Sequence, residues 1–270
     1  MYQPCSSIIL LASKMETVDM HFIIQSDAAH EEDNLAILEE NLQDGWEPTK
    51  EVAEFLISYG DQVNCLRVIH KAGCSLTSEM VLTAVIYGHL KCLNYLVKAG
   101  CLVNDSAVHL AAMVGQLECL KYLVEICRPE KVCESAAAMN ELECLEWLYK
   151  DGFKLHDSAA CAATFGHLRC LVFALERSEG EVEIDIEKMI ENGHLDCTKV
   201  IHINGGLSNN DIDLAIIYNQ MEIFDYLKSE GYKWNKHLFN HDGSRSWLAM
   251  KLAKDCAAIR RTKEKELMST

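Results

Sequence analysis

The 270-residue sequence predicts an all-α fold, a solenoid of seven to eight stacked helix-turn-helix repeats, on three observations. A hexapeptide recurs every 25 to 28 residues: Gly-His-Leu-Lys-Cys-Leu at 88–93, Gly-Gln-Leu-Glu-Cys-Leu at 115–120, Asn-Glu-Leu-Glu-Cys-Leu at 140–145, Gly-His-Leu-Arg-Cys-Leu at 166–171 and Gly-His-Leu-Asp-Cys-Thr at 193–198. Asn-Gln-Met-Glu-Ile-Phe at 219–224 and the stretches 33–38 and 61–66 fit the same frame. Each period divides at its Gly or Asn into two short runs with helical spacing of apolar residues. About half of the chain is apolar and a quarter charged, enough to fill a continuous core. A fixed period of this length marks a stacked array, because one such unit cannot bury its apolar face alone.

Residues 1–30 do not follow the repeat and are expected to cap the first unit, 31–235 form the array, and 236–270 form a loop and capping helix with a charged tail. Within a repeat, the first helix is expected over Ser106–Val114. It starts after Asn104-Asp105-Ser106, whose side chains can accept from free helix N–H groups, and stops at Gly115. Asn140 and Asn219 replace that glycine in two repeats and are the next best residues for a left-handed turn. The second helix, expected over Leu117–Glu125, carries apolar residues at Cys92, Cys119, Cys144, Cys170 and Cys197, and an aromatic three residues later at Tyr95, Tyr122, Trp147 and Phe173. So wide an apolar surface suits a helix packed between neighbours on both sides. Gly45, Gly73, Gly100, Gly152, Gly205 and Gly231 close the units.

His89/Cys92, His167/Cys170 and His194/Cys197 have the spacing of half a metal site. Equivalent helices of neighbouring repeats lie about 8–10 Å apart, whereas ligands of one zinc ion stand within ~4 Å of each other. The pairs therefore cannot share an ion, and the cysteines are expected to be core and the histidines turn residues. Neither metal nor cofactor is expected. The thirteen cysteines have no paired spacing and no leader peptide is evident, so reduced thiols and an intracellular, cytoplasmic or nuclear, location are expected.

Ser106-Ala107-Val108-His109-Leu110-Ala111-Ala112, followed by Gly115-Gln116-Leu117-Glu118, resembles the ankyrin repeat. The Gly-His-Leu turns at 88, 166 and 193 are similar to the same motif, and the resemblance spans roughly residues 30–235. The repeats are shorter than the usual ~33 residues, so an ankyrin-like solenoid with reduced hairpins is implied. The family implies protein binding on a concave face formed by the residues before each turn. Here these are Tyr59 with Gly60, Ile86-Tyr87, Met113-Val114, Ala138-Met139, Thr164-Phe165 and Ile217-Tyr218, interrupted by Glu191-Asn192. The candidate partner-binding set is thus Tyr59, Ile86, Tyr87, Met113, Val114, Met139, Thr164, Phe165, Ile217 and Tyr218. Aromatic and Met side chains are enriched at interface centres; buried between helices, the same residues would merely enlarge the core.

Net charge is −16, which argues against a nucleic-acid backbone as partner. The tail from Ser244 is locally basic but short and mixed. No apolar run approaches the roughly 20 residues of a membrane span. No phosphate loop, His-Glu-x-x-His or nucleophile elbow occurs, so an enzyme is not expected. The expected function is a monomeric, non-catalytic module binding a partner protein of unknown identity. The alternative is an adaptor that presents a bound protein to a ubiquitin-ligase or similar complex through a C-terminal helix, 246–261.

Overall fold

The computed structural model describes residues 31–155, 157–178 and 182–235. The expected caps, 1–30 and 236–270, lie outside the described residues, as does the helix 246–261. Among the described residues every regular element is an α-helix. They run α1 (Glu31–Gln43), α2 (Lys50–Tyr59), α3 (Val63–Lys71), α4 (Ser78–Ile86), α5 (Leu90–Lys98), α6 (Asp105–Met113), α7 (Leu117–Val124), α8 (Val132–Ala138), α9 (Leu142–Lys150), α10 (Ser158–Phe165), α11 (Leu168–Arg177), α12 (Ile186–Glu191), α13 (Leu195–Ile203), α14 (Asp211–Ile217) and α15 (Met221–Ser229). From α2 onward they pair as first and second helices of successive repeats.

The contacts define two compact units. The first holds the described residues up to Ala111 and Gln116–Arg128; the second holds Ala112–Gly115 and the described residues from Pro129 onward. In the first unit α2 packs on α4, and α1, α3, α5 and α7 pack in succession. In the second unit α8, α10, α12 and α14 form one row and α9, α11, α13 and α15 another. This is the stacking of a helical solenoid, and no strand projects from it among the described residues.

The helices are short because each is a link in a stack. At six to ten residues from α2 onward they would be marginal alone, and tertiary burial holds them. Second helices bury the hexapeptide's cysteine, the residue after it and the residue four places after it, as with Cys92, Leu93 and Leu96 or Cys144, Leu145 and Leu148. First helices bury two adjacent pairs one turn apart: Val52-Ala53 with Leu56-Ile57, and Val132-Cys133 with Ala136-Ala137. In α10 the buried set is Ser158, Ala159, Ala162 and Ala163, small side chains that let α8, α10 and α12 pack closely.

The turns fix the register. Helix α6 begins one residue earlier than expected, at Asp105, and α7 ends one earlier, at Val124, the usual uncertainty of fraying ends. Asn104 accepts the Ala107 N–H at 3.2 Å as the cap implies. After α4 the His89 N–H closes on the Ala84 carbonyl at 2.9 Å, and after α10 the His167 N–H closes on Ala162 at 2.8 Å. Both closures need a left-handed residue, supplied by Gly88 (φ 72°) and Gly166 (φ 78°). Asn140 and Asn219 adopt the same conformation at φ 64° and 57°.

Gly166 is constrained twice, since a Cβ there would fall on the His194 imidazole of the next repeat, whereas around Gly205 (φ 74°) nothing lies within 4 Å. Urea unfolding should separate these effects. Gly205→Ala is expected to cost about 1 kcal/mol, the backbone term alone, and Gly166→Ala about 3 kcal/mol; equal costs would mean the ring does not fill that turn.

Candidate functional site

The last two buried residues of each first helix give a common ruler. They are Leu56-Ile57, Ala84-Val85, Ala111-Ala112, Ala136-Ala137, Ala162-Ala163 and Met189-Ile190. The two residues that follow are Ser58-Tyr59, Ile86-Tyr87, Met113-Val114, Ala138-Met139, Thr164-Phe165 and Glu191-Asn192, and Ile217-Tyr218 take this place in α14. Tyr59, Ile86, Tyr87, Met113, Met139, Phe165 and Ile217 are exposed, with Phe165 at 54 % and Ile217 at 59 %. Val114, Thr164 and Tyr218 are half-buried. The core is complete without these side chains, because the preceding pair fills it.

Within the first unit Tyr59, Ile86 and Tyr87 share the C-terminal ends of the packed helices α2 and α4. Within the second, Met139, Phe165 and Ile217 mark the ends of α8, α10 and α14, with polar Asn192 at the end of the intervening α12. The rings are braced rather than loose. Phe55 stacks on Tyr59 with centroids 5.7 Å apart, Tyr87 on His89 at 6.0 Å, and Phe165 on His167 at 6.4 Å. Tyr218 donates to Glu187 Oε1, which pushes its phenol up to about 12.

One register differs from expectation. Tyr59, paired with Gly60 in the sequence reading, stands level with Tyr87, so the pair before the turn is Ser58-Tyr59, with Ser58 half-buried and Tyr59 exposed. The turn after α2 has an additional residue. Gly60 is extended there (φ −175°), and Asp61 accepts the Lys91 N–H at 3.1 Å and the Cys92 N–H at 2.8 Å, capping the start of α5.

The second residue of the hexapeptide carries a role that sequence reasoning did not assign. His89 Nδ1 donates to the Ile57 carbonyl at 2.6 Å, Gln116 Nε2 to Ile86 at 3.3 Å, His167 Nε2 to Ala138 at 2.9 Å, and Gln220 Nε2 to Glu191 at 2.6 Å. Asn192 Nδ2 adds a bond to the Thr164 carbonyl at 2.9 Å. Carbonyls at helix C-termini have no partner within their own helix, and here the next repeat supplies one. The signal was available, since the position is His or Gln at 62, 89, 116, 167, 194 and 220. Glu141, a carboxylate, cannot donate and lies against Gly115 instead.

The hexapeptide cysteines are buried, as is Cys133 of the first helix α8. Burial, the leading cause in each case, pushes the thiols of Cys65 and Cys133 up to about 12, those of Cys119, Cys170 and Cys197 up to about 11, and that of Cys92 further still. They remain protonated and poor nucleophiles or ligands. All described cysteines are free, and among the described residues no group of three or more His, Cys, Asp or Glu could hold a metal ion. No described helix is long and apolar enough to cross a membrane.

A thiol reagent at pH 8 should therefore modify the half-exposed Cys101, Cys127 and Cys161 first, and Cys92, Cys119, Cys144 and Cys170 only in denaturant. Peptide mapping by mass spectrometry reads the order; prompt native labelling of the second set would contradict their place in the core.

The comparisons with known proteins bear on the repeats. A family model described as ankyrin repeats, in three copies, matches residues 81–159. No curated protein matches the chain. Among solved structures, the human ASB11 ankyrin repeat domain is similar at 16 % identity with a TM-score of 0.49, over 60 % of this chain and 90 % of that one.

Proposed function

This chain carries ankyrin repeats, and on that premise we propose that it is a non-catalytic interaction module holding a partner protein on the exposed apolar ends of its first helices. Ankyrin repeats are in general protein-protein interaction modules, and the observation that carries the reading is the surplus of apolar surface. Tyr59, Ile86, Tyr87, Met113, Met139, Phe165 and Ile217 lie next to a filled core and remain open to solvent. Single exposed apolar residues are ordinary, but their recurrence at one repeat position is the pattern of a recognition surface. Tyr, Phe and Met, which bring large contact area for few rotatable bonds or adapt to irregular partners, suit its centre.

The net charge of −16 favours a partner with apolar anchors and basic flanks, since opposite charge speeds encounter and selects among partners. Reduced thiols fit a cytoplasmic or nuclear setting. The alternative reading, an adaptor to a ubiquitin-ligase or similar complex, depends on residues 246–261, which lie outside the described residues.

The test compares the wild-type chain with the Tyr87→Ser, Met139→Ser, Phe165→Ser, Ile217→Ser variant in affinity capture and thermal melts. The variant is expected to keep its melting temperature within a few degrees, because exposed substitutions change stability little, and to lose the proteins the wild type retains. A collapse of stability would place these side chains in the core and remove the proposed surface.

A further inference from the structure

An open hollow of about 370 Å³ lies between α9 and α11, neighbouring second helices of the second unit. The half-buried Leu142, Leu168, Val172 and Phe173 line it together with the exposed Arg169, Glu176 and Arg177. None of them belongs to the first-helix ends. Two of the three charges neutralise each other: Arg177 Nη1 donates to Glu176 Oε2 at 2.9 Å and to the Phe173 carbonyl at 3.2 Å, and its guanidinium lies 4.1 Å from the centre of the Phe173 ring. Tyr149 packs edge-to-face on the same ring, with centroids 5.9 Å apart. Arg169 makes no ion pair with any described residue, Glu143 of α9 and Glu176 included.

Comparison with the other second helices shows what sets α11 apart. The residue before the hexapeptide cysteine and the residue two after it stand three apart, neighbours on one helix face. In α7 they are Glu118 and Lys121, paired at 2.6 Å, and in α13 they are Asp196 and Lys199, paired at 3.0 Å. The later of the two places is polar at Arg67, Asn94, Lys121, Glu146, Lys199 and Asp225, and apolar in α11 alone among the described second helices, at Val172. Helix α11 thus keeps the cation, Arg169, while its counter-charge gives way to an aliphatic side chain, and the hollow opens at that place. Residues three or four apart on a helix are about 5–6 Å apart, so Arg169 and Val172 match an aliphatic side chain and a carboxylate set one turn apart on an incoming helix. Two packed helices leave a groove that accepts a third.

We propose that this hollow is a second interaction surface and that it docks an acidic amphipathic helix of a partner protein, with an aliphatic side chain on Leu142, Leu168 and Val172 and a carboxylate one turn away on Arg169. The missing counter-charge argues for the carboxylate: on a chain of net charge −16, Arg169 is a cation left uncompensated beside apolar surface, and an incoming Asp or Glu completes the pair that α7 and α13 make within themselves. The surface is independent of the first-helix ends and stands whether or not those ends hold a protein.

Two fluorescein-labelled helix-forming peptides test it on the full chain by fluorescence anisotropy: one carries Leu and Glu one turn apart on an otherwise polar helix, the other has that Glu replaced by Gln. The wild type is expected to bind the Glu peptide about fivefold more tightly, the scale of one exposed ion pair. Arg169→Gln, an exposed change, should bind both peptides at the Gln peptide's level. The double variant Arg169→Glu, Val172→Lys rebuilds the pattern of Glu118 and Lys121, so it should melt with the wild type and bind neither peptide. The Tyr87→Ser, Met139→Ser, Phe165→Ser, Ile217→Ser variant should bind as the wild type does, which separates this surface from the first-helix ends. A wild type that fails to bind, or binds both peptides equally, overturns the proposal, as does an Arg169→Gln variant that keeps the preference or a loss of binding in the first-helix variant. A wild-type dimer in sedimentation velocity that the double variant turns into a monomer would assign the hollow to a second copy of this chain and also overturn it.

Discussion

The bond from a turn side chain to the last carbonyls of the preceding first helix is the constraint from which the exposed surface follows. His89, Gln116, His167 and Gln220 each reach back across one repeat to a helix end, at 2.6 to 3.3 Å. That reach needs a left-handed turn with no side chain in the way, which is why Gly166 sits beneath the His194 ring and Gly88 beneath the Gln116 amide. Once the C-termini are tied in this way, the residues between the last buried pair and the turn cannot point inward. At the tied ends Tyr59, Ile86, Tyr87 and Met139 are exposed, and Met113 is exposed as well although Glu141 makes no such bond.

Selection on that position is therefore free to serve recognition. In the second unit α8 and α10 bury mainly alanine, at Ala136, Ala137, Ala159, Ala162 and Ala163, while Met139 and Phe165, large and apolar, sit outside. An arrangement built for stability alone would place the bulk where it excludes water, because burial rather than exposure yields the roughly 25 cal/mol per Å² of apolar surface.

Much of this was legible in the sequence, because a repeat states its constraints several times over. The period gave the helix pairs, the recurring cysteine gave the buried face of the second helix, and Gly or Asn before His or Gln gave the turn. What was hidden required contacts between repeats. The additional residue at Gly60-Asp61 shifts Tyr59 by one place, and only the buried pattern of α2 reveals it. The donor role of His89 was invisible while the residue was considered within its own turn.

The recurring apolar residues before each turn lie outside the core. Hydroxyl-radical footprinting measures this directly, because each class contains methionines: Met113 and Met139 are exposed, while Met80 and Met189 are fully buried. In the native chain, Met113 and Met139 are expected to oxidise roughly tenfold or more faster than Met80 and Met189, as solvent access dictates. Protection of all four to a similar degree would contradict it, making the stripe part of the core.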